Sequence, residues 1–317
     1  MPSKVNNKKP QSKSLAFLKF GLRHVNELRS FWFHQVMTQY GLRWLQEHET
    51  EIPGKITCFP GDDKTPFVNL GATPSEILSL ESKHSQMLVH SAIVRLVTVF
   101  ENYLYDCIQR TVFIEPKVLE KSEIKLSASE VASAIESQGI KAWFAHYVAD
   151  KLCRSSAPKE LITRVDGFLQ AGMIAPLEAE IKEWVQWTLV RNSIAHLGGD
   201  ISVELANAWK HRFPNPGTPI LLHYSDVLRL AFISRTLAKR LDSGQRAKSF
   251  RVYDRNLLAH ELFVRNGIDD PRQLSVEVSS ILSVPLSKTH AEQLLKSFRQ
   301  GAFVDEGITI TEEMLAI

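Results

Sequence analysis

The chain has 317 residues, 44% of them hydrophobic and 23% charged, with 15 Gly and 14 Pro; this is the composition of a folded globule and excludes collagen-like and wholly disordered classes. Its 38 Lys and Arg nearly balance 35 Asp and Glu, a net charge of +3, so any attraction for a polyanion must come from local clustering. Cys58, Cys107 and Cys153 are odd in number, far apart and without a CxxC pair, which excludes a disulfide-stapled scaffold and points to a reducing cytoplasm.

Residues 1–14 carry Lys4, Lys8, Lys9 and Lys13 but no long apolar core, so they read as a disordered basic tail rather than a signal peptide. Periodicity then predicts helix nearly everywhere. Residues 15–48 read as one or two aromatic-rich helices. Residues 50–74, with four Pro and three Gly, read as a connecting segment with short extended pieces at 55–59 and 66–70. Thr73-Pro74-Ser75-Glu76 is a capping box with Pro at the first helical position, and opens a helix over about 75–113. A second box, Ser127-Ala128-Ser129-Glu130, opens 128–137. Helices follow at 140–153, 159–170 and 176–197, the last stopped by Gly198-Gly199. Residues 200–224 form a turn-rich connection, and Ser225 caps 226–242. Beyond a polar stretch at 243–249, Asp270-Pro271 and Ser287 mark further helix starts. Charge breaks the longest apolar stretches, as Arg229 and Arg235 do in 227–238, so no transmembrane helix fits. The predicted architecture is all-α, an up-and-down bundle over 75–242 with N-terminal helices at 15–74 and a small helical region at 243–317.

Residues 191–196 read Arg-Asn-Ser-Ile-Ala-His. At about 100° per residue, Ile181, Trp184, Val185, Thr188 and Leu189 form one apolar stripe. Asn192, Ala195 and His196 continue it, with Arg191 on its edge. Polar groups on a core-facing stripe cost about 1–3 kcal/mol each unless hydrogen-bonded, and such a break in the pattern marks a functional position. Spacing alone does not select this pair. With 18 Arg and 11 His, about 0.6 Arg-to-His spacings of five are expected by chance, and the chain has four: Arg29/His34, Arg43/His48, Arg191/His196 and Arg255/His260. Context selects Arg191/His196, which ends a long helix with Gly-Gly after it. Upstream, His90, Val97, Glu101 and Ile108 align on one side of a helix, where a carboxylate wants a cationic or donor partner such as Arg191 or Asn192.

A long helix carrying Phe-Glu-x-Tyr-Leu (Phe100 to Leu104), followed by a helix ending Arg-Asn-x-x-x-His-Leu-Gly (Arg191 to Gly198), resembles the HEPN superfamily, nearest its RiboL-PSP subgroup. The resemblance covers roughly 75–242; a long insertion between the two elements departs from the most compact members. It implies a helical bundle that dimerises with the motif helices facing each other. It also implies a metal-independent endoribonuclease without cofactor, of the kind that serves as a toxin or in antiphage defence; a separate reading makes the chain one half of a toxin–antitoxin or multi-protein effector, with an antitoxin or effector protein as partner. By the same resemblance Arg191 and His196 are the catalytic pair, Asn192 a polar support, and Glu101 a group orienting the Arg.

The chemistry suits those residue types. Cleavage of RNA through its own 2′-OH needs a proton acceptor, a proton donor and positive charge on the phosphorane. His titrates near neutrality and moves protons, while Arg stays charged and grips phosphate oxygens as a fork. Five residues turn about 140° round a helix, so one copy's Arg and His diverge, and a two-fold axis would gather two of each round one cleft. No HExxH, CxxC or Gly-rich phosphate loop is present, and His84 and His90, six apart, lack the spacing of a helical metal pair. The six Trp read as core or interface aromatics. Residues 235–256 hold seven cations against Asp242 and Asp254. Of these, Arg235, Lys239, Arg240, Arg246, Lys248 and Arg251 are candidate RNA-binding residues, although Lys239 and Arg240 also suit a helix C-terminus. The competing reading is a non-catalytic helical module that binds RNA or a protein, and apolar residues of 243–317, Leu274 to Phe298, would pack on the bundle or dock a partner.

Overall fold

Thr73 and Ser127 accept hydrogen bonds from the N–H groups of Glu76 and Glu130 at 3.2 and 3.3 Å, and the two carboxylates accept from the cap N–H groups at 2.7 and 2.6 Å. Both capping boxes therefore form as the sequence predicts, each satisfying donors that a helix start leaves orphaned. The structure is a computed structural model that describes residues 13–48, 73–120, 124–137, 139–301, 310 and 312–315. Most of the basic tail, Cys58 and the extended pieces at 55–59 and 66–70 lie outside them.

Among the described residues the chain is all-α. In order come α1 (Leu15–Glu47), α2 (Pro74–Ser79), α3 (Glu81–Ile114), α4 (Ala128–Glu136), α5 (Ile140–Ser155), α6 (Pro158–Leu169) and α7 (Glu178–His196). Then follow α8 (Val203–Ala208), α9 (Tyr224–Asp242), α10 (Gln245–Asn266), α11 (Pro271–Leu282), α12 (Lys288–Arg299) and α13 (Glu312–Leu315).

Four details differ from the sequence reading. The helix expected over 75–113 is two, because Leu80 turns its N–H to Ile77 in the tighter 3₁₀ manner (3.0 Å). Residues 200–224 hold α8, capped by Ser202, whose hydroxyl accepts from Leu205 N–H at 3.0 Å. Helix α9 begins before Ser225: the N–H of His223 donates to the Asp226 carboxylate at 2.8 Å. Finally, α10 starts inside the polar stretch, at Gln245. Asp270 and Ser287 cap α11 and α12 as expected.

The chain divides into two compact units. The first comprises the residues up to Arg23, Thr98–Val185 and Phe232–Ile317; the second comprises His24–Val97 and Gln186–Ala231. The expected boundary at 242 is therefore absent, and the C-terminal helices belong with 98–185. Their charges show why. In the first unit Asp254 lies buried between Arg110, with Nη2 at 2.9 Å, and the N–H of Leu15 at 3.1 Å. Asp242 accepts from the Ser14 hydroxyl at 2.5 Å and from Arg251 at 3.4 Å. Two carboxylates thus receive the positive end of α1, and cutting the chain at 242 would separate them from their partners. Apolar packing completes this unit around Phe20, Phe100, Tyr103 and Trp184, with α10, α11 and α12 packed on one another.

The second unit is centred on Trp187, Trp209, Val190, Leu205 and Val227, all buried. In it the later part of α1 turns an aromatic row outward: Phe33 is 62% exposed and Tyr40 68%. The expectation of no membrane-spanning stretch needs one correction. An 18-residue window of α3 reaches a mean hydropathy of 1.2 and is long enough to cross, but half of it is buried in protein. A core helix of this length meets the same test.

Candidate functional site

Helix α7 changes its buried face along its length. Ile181, Trp184, Trp187, Val190 and Ser193 are all buried, a row at i, i+3, i+6 that winds backward by about 60° per step. The core-facing row therefore ends on Ser193. The sequence reading, which carried a fixed stripe forward to Asn192, Ala195 and His196, is corrected: all three are exposed, and Arg191 is half-buried. Asn192 and His196 are polar groups at the surface, where no burial cost arises.

The end that carries them is held tightly. Gly198 and Gly199 take φ of +65° and +95°, backbone that side chains other than Gly rarely adopt. The N–H groups of Leu197 and Gly199 both donate to Ser193 C=O, at 3.0 and 3.3 Å. The Gly199 carbonyl then accepts from Ile220 N–H at 2.7 Å, beside a short antiparallel bridge between Asp200 and Pro219. His90, from α3, donates through Nε2–H to the Ile220 carbonyl at 3.0 Å, because only a protonated ring nitrogen can bond a carbonyl. Its ring fills the space beside Gly199, where a methyl group would come within 3.3 Å of Cε1. Gln86 clasps Leu222 from both sides, donating to its carbonyl at 2.8 Å and accepting from its N–H at 2.9 Å. Ser193 donates to Ser202, the cap of α8, at 3.1 Å. The backbone around His196 is thus a closed set of hydrogen bonds, while the imidazole projects from it.

Arg191, Asn192 and His196 share this helix end. Glu101 belongs to the first unit and is half-buried there. Its charge acts on Cys153 of α5, whose thiol is pushed up to about 12, first by burial and then by Glu101.

The basic cluster splits. Arg235, Lys239 and Lys248 are exposed, as is Arg240, which donates to Gly172 C=O at 3.2 Å. Two members are corrected. Arg246 is engaged by Glu115 at 2.8 Å and by Phe168 C=O at 2.6 Å, and Arg251 is buried against Asp242. Both guanidiniums are consumed in holding helices together and do not face a ligand. The other three Arg–His spacings carry contacts of their own, and His48 donates through Nδ1 to Trp44 C=O at 2.9 Å. Arg255 donates to His290 at 3.1 Å, and the His260 ring packs edge-on against Phe298; His34 donates through Nδ1 to its own helix at Ser30 C=O, 2.7 Å.

Sequence reasoning missed His90 as the wedge beneath the Gly-Gly turn; no local pattern distinguishes it. It also missed Arg212, whose guanidinium lies 4.9 and 4.8 Å from the rings of Trp187 and Trp209 and 2.6 Å from Asp226. The Trp209-to-Arg212 spacing, one helical turn, was the available signal. Among the described residues no group of three or more His, Cys, Asp or Glu is placed to hold a metal ion. No family model, curated protein or solved structure gives a significant match to this chain.

Proposed function

We propose that the chain is an endoribonuclease of the HEPN type that cleaves RNA by attack of its own 2′-OH, leaving a 2′,3′-cyclic phosphate and a 5′-hydroxyl. The observation that carries this reading is the exposed His196 at a helix end whose backbone is fixed by Gly199, Ile220 and His90. Catalysis by position needs both properties, a reachable group and a frame that does not move. In this reading His196 moves the protons and Arg191 neutralises charge on the phosphorane. Asn192 lies one turn before His196 on the same side and supports the phosphate by hydrogen bonding. Arg191 and His196 point about 140° apart on one helix, so a complete site takes its Arg and His from two copies across a two-fold axis. A role in antiphage defence or as a toxin, and an antitoxin or effector partner, are part of the same proposal.

The test is cleavage of RNA by the purified chain in the presence of EDTA, with end analysis of the products. Cyclic phosphate ends from the native chain and none from His196→Ala at unchanged dimer content support the assignment; full cleavage by His196→Ala rejects it. A second reading, a non-catalytic binding module, is favoured by the outward apolar row of α1, which includes Phe33, Val36, Met37 and Tyr40. It is distinguished by retention of RNA or protein without any product.

A further inference from the structure

Within the first unit, several cations are held by carboxylates. Arg246 meets Glu115, Arg251 meets Asp242, Arg265 meets Glu261, Arg299 meets Asp269 and Lys19 meets Asp106. The later half of α9 gathers cations that are not so held. Arg235, Lys239 and Arg240 have no carboxylate within ion-pair distance among the described residues. They also share a face: Phe232, Arg235, Thr236 and Lys239 follow i, i+3, i+4, i+7 within about 100° of arc, with Arg240 at its edge. Phe232 on that face is 58% exposed. Lys239 and Arg240, with Thr236, Ser243, Pro176 and Leu177, line an open groove of about 570 Å³.

The donors available in the groove decide what it can hold. Thr236 gives its hydroxyl hydrogen to Phe232 C=O at 2.8 Å, and Ser243 gives its own to Arg240 C=O at 2.6 Å. The two cations therefore supply the donors, and they recognise charge rather than the edge of a base. Unpaired cations along a groove beside an exposed aromatic ring form a track for an unstacked polyanionic strand: phosphates go to the cations, and a splayed base goes to the ring. A duplex keeps its bases stacked and has none to offer the ring.

We infer that this face of α9 anchors the phosphodiester backbone of single-stranded RNA, with Lys239 and Arg240 on phosphates in the groove, Arg235 on the adjoining backbone and Phe232 stacking a base. The inference rests on the nuclease reading above only for its choice of RNA as the polyanion. It adds a grip on the strand by residues other than Arg191, Asn192 and His196.

The experiment is fluorescence anisotropy of labelled oligouridylate and of a blunt RNA duplex, using the full chain with His196→Ala so that no substrate is lost. Lys239→Glu/Arg240→Glu lowers single-strand affinity at least tenfold and makes the slope of log K against log salt shallower by about 1.4. Phe232→Ala lowers single-strand affinity by roughly tenfold and leaves duplex binding unchanged. All three side chains are exposed, and circular dichroism checks that both variants remain folded. Unchanged affinity and slope in the charge-reversal variant overturn the inference. So does equal loss on strand and duplex for Phe232→Ala, release of the oligonucleotide by millimolar inorganic phosphate at matched ionic strength, or equal retention by anionic lipid vesicles. The two proposals fail separately. A native chain that cuts nothing but loses RNA on charge reversal sinks the nuclease and keeps the track. A chain that cuts RNA but keeps its affinity on charge reversal does the opposite.

Discussion

Charged and polar side chains serve opposite ends at two places, the start of α1 in the first unit and the end of α7 in the second. In the first, Asp242, Asp254, Arg110 and Arg251 are buried and bonded to one another or to the first turn of α1. Burial pushes both carboxyls above the ordinary carboxylate value, and their partners pull the other way: Arg110 for Asp254, Ser14 and Arg251 for Asp242. In the second, the end of α7 is held by backbone bonds and by the Ser193 and His90 side chains, and Asn192 and His196 are left in solvent. The first arrangement resists change, since removing one member strands another in a medium that solvates charge poorly. The second tolerates substitution structurally, because among the described residues none bonds the imidazole. Residue type does not separate the two roles; the destination of each hydrogen bond does.

The largest expected effects test that contrast directly. His196→Ala should lower RNA cleavage on the order of 10²–10⁴-fold, the usual worth of a positioned proton-transfer group, and shift the urea midpoint by no more than about 0.5 kcal/mol of stability. A large loss of stability would move His196 to the structural side. Asp254→Ala should do the reverse. It leaves the Arg110 guanidinium buried without its carboxylate and costs about 3–5 kcal/mol, read from urea unfolding of the full chain. The double change Arg110→Met/Asp254→Leu should return most of that loss, because a well-packed apolar pair replaces a buried ion pair at little net cost. If the single variant loses under about 1 kcal/mol, the junction is wet and the contrast collapses.

How much of this was legible in sequence depends on the range of the interaction. Both capping boxes, the caps of α11 and α12, and the Gly-Gly stop could be read because each is settled within four residues. The all-α class followed from periodicity over whole helices. The burial of Asn192 and His196 was misread because a fixed 3.6-residue stripe assumes one contact face, whereas α7 is buried nearly all round at 184–190. Arg251 was misread as a surface cation because its partner Asp242 sits nine residues away across the turn between α9 and α10; a charge count registers Asp242 but not the direction either side chain takes. His90 was out of reach altogether, since its contact at Ile220 lies 130 positions away.

A medium effect sharpens the second half of the comparison. Gly199→Ala places a side chain at φ +95° and within 3.3 Å of the His90 ring. The backbone strain alone is worth about 1–2 kcal/mol, and the ring must also shift. The expected outcome is a fall in stability of that size together with a drop in RNA cleavage, since the frame under His196 is disturbed. His90→Ala removes the clash, so in the double variant only the backbone strain and the lost bond to Ile220 remain. Coupling between the two changes, measured by unfolding in a double-mutant cycle, checks that the ring and the glycine share one space. Strict additivity would show that they do not.

The smallest effect is one of pH, and it returns to the first unit. The His290 pKa is lowered from its ordinary 6.5 by burial and by the charge of Arg255, whose guanidinium donates to its ring at 3.1 Å. With the folded value below the unfolded one, the unfolded chain binds more protons between the two. The stability this contact contributes is therefore present above pH 6.5 and lost as the pH falls through the lowered value. A protonated His290 can no longer accept from Arg255, and two cations then face each other between α10 and α12. Amide exchange in α12 should accelerate, after correction for the intrinsic rate, as the pH drops from 7.5 toward 5, with α7 unaffected. His290→Gln keeps an acceptor without a titrating group and should flatten that dependence. If the acid response persists in His290→Gln, it comes from another group, and the Arg255–His290 contact is a bystander to it.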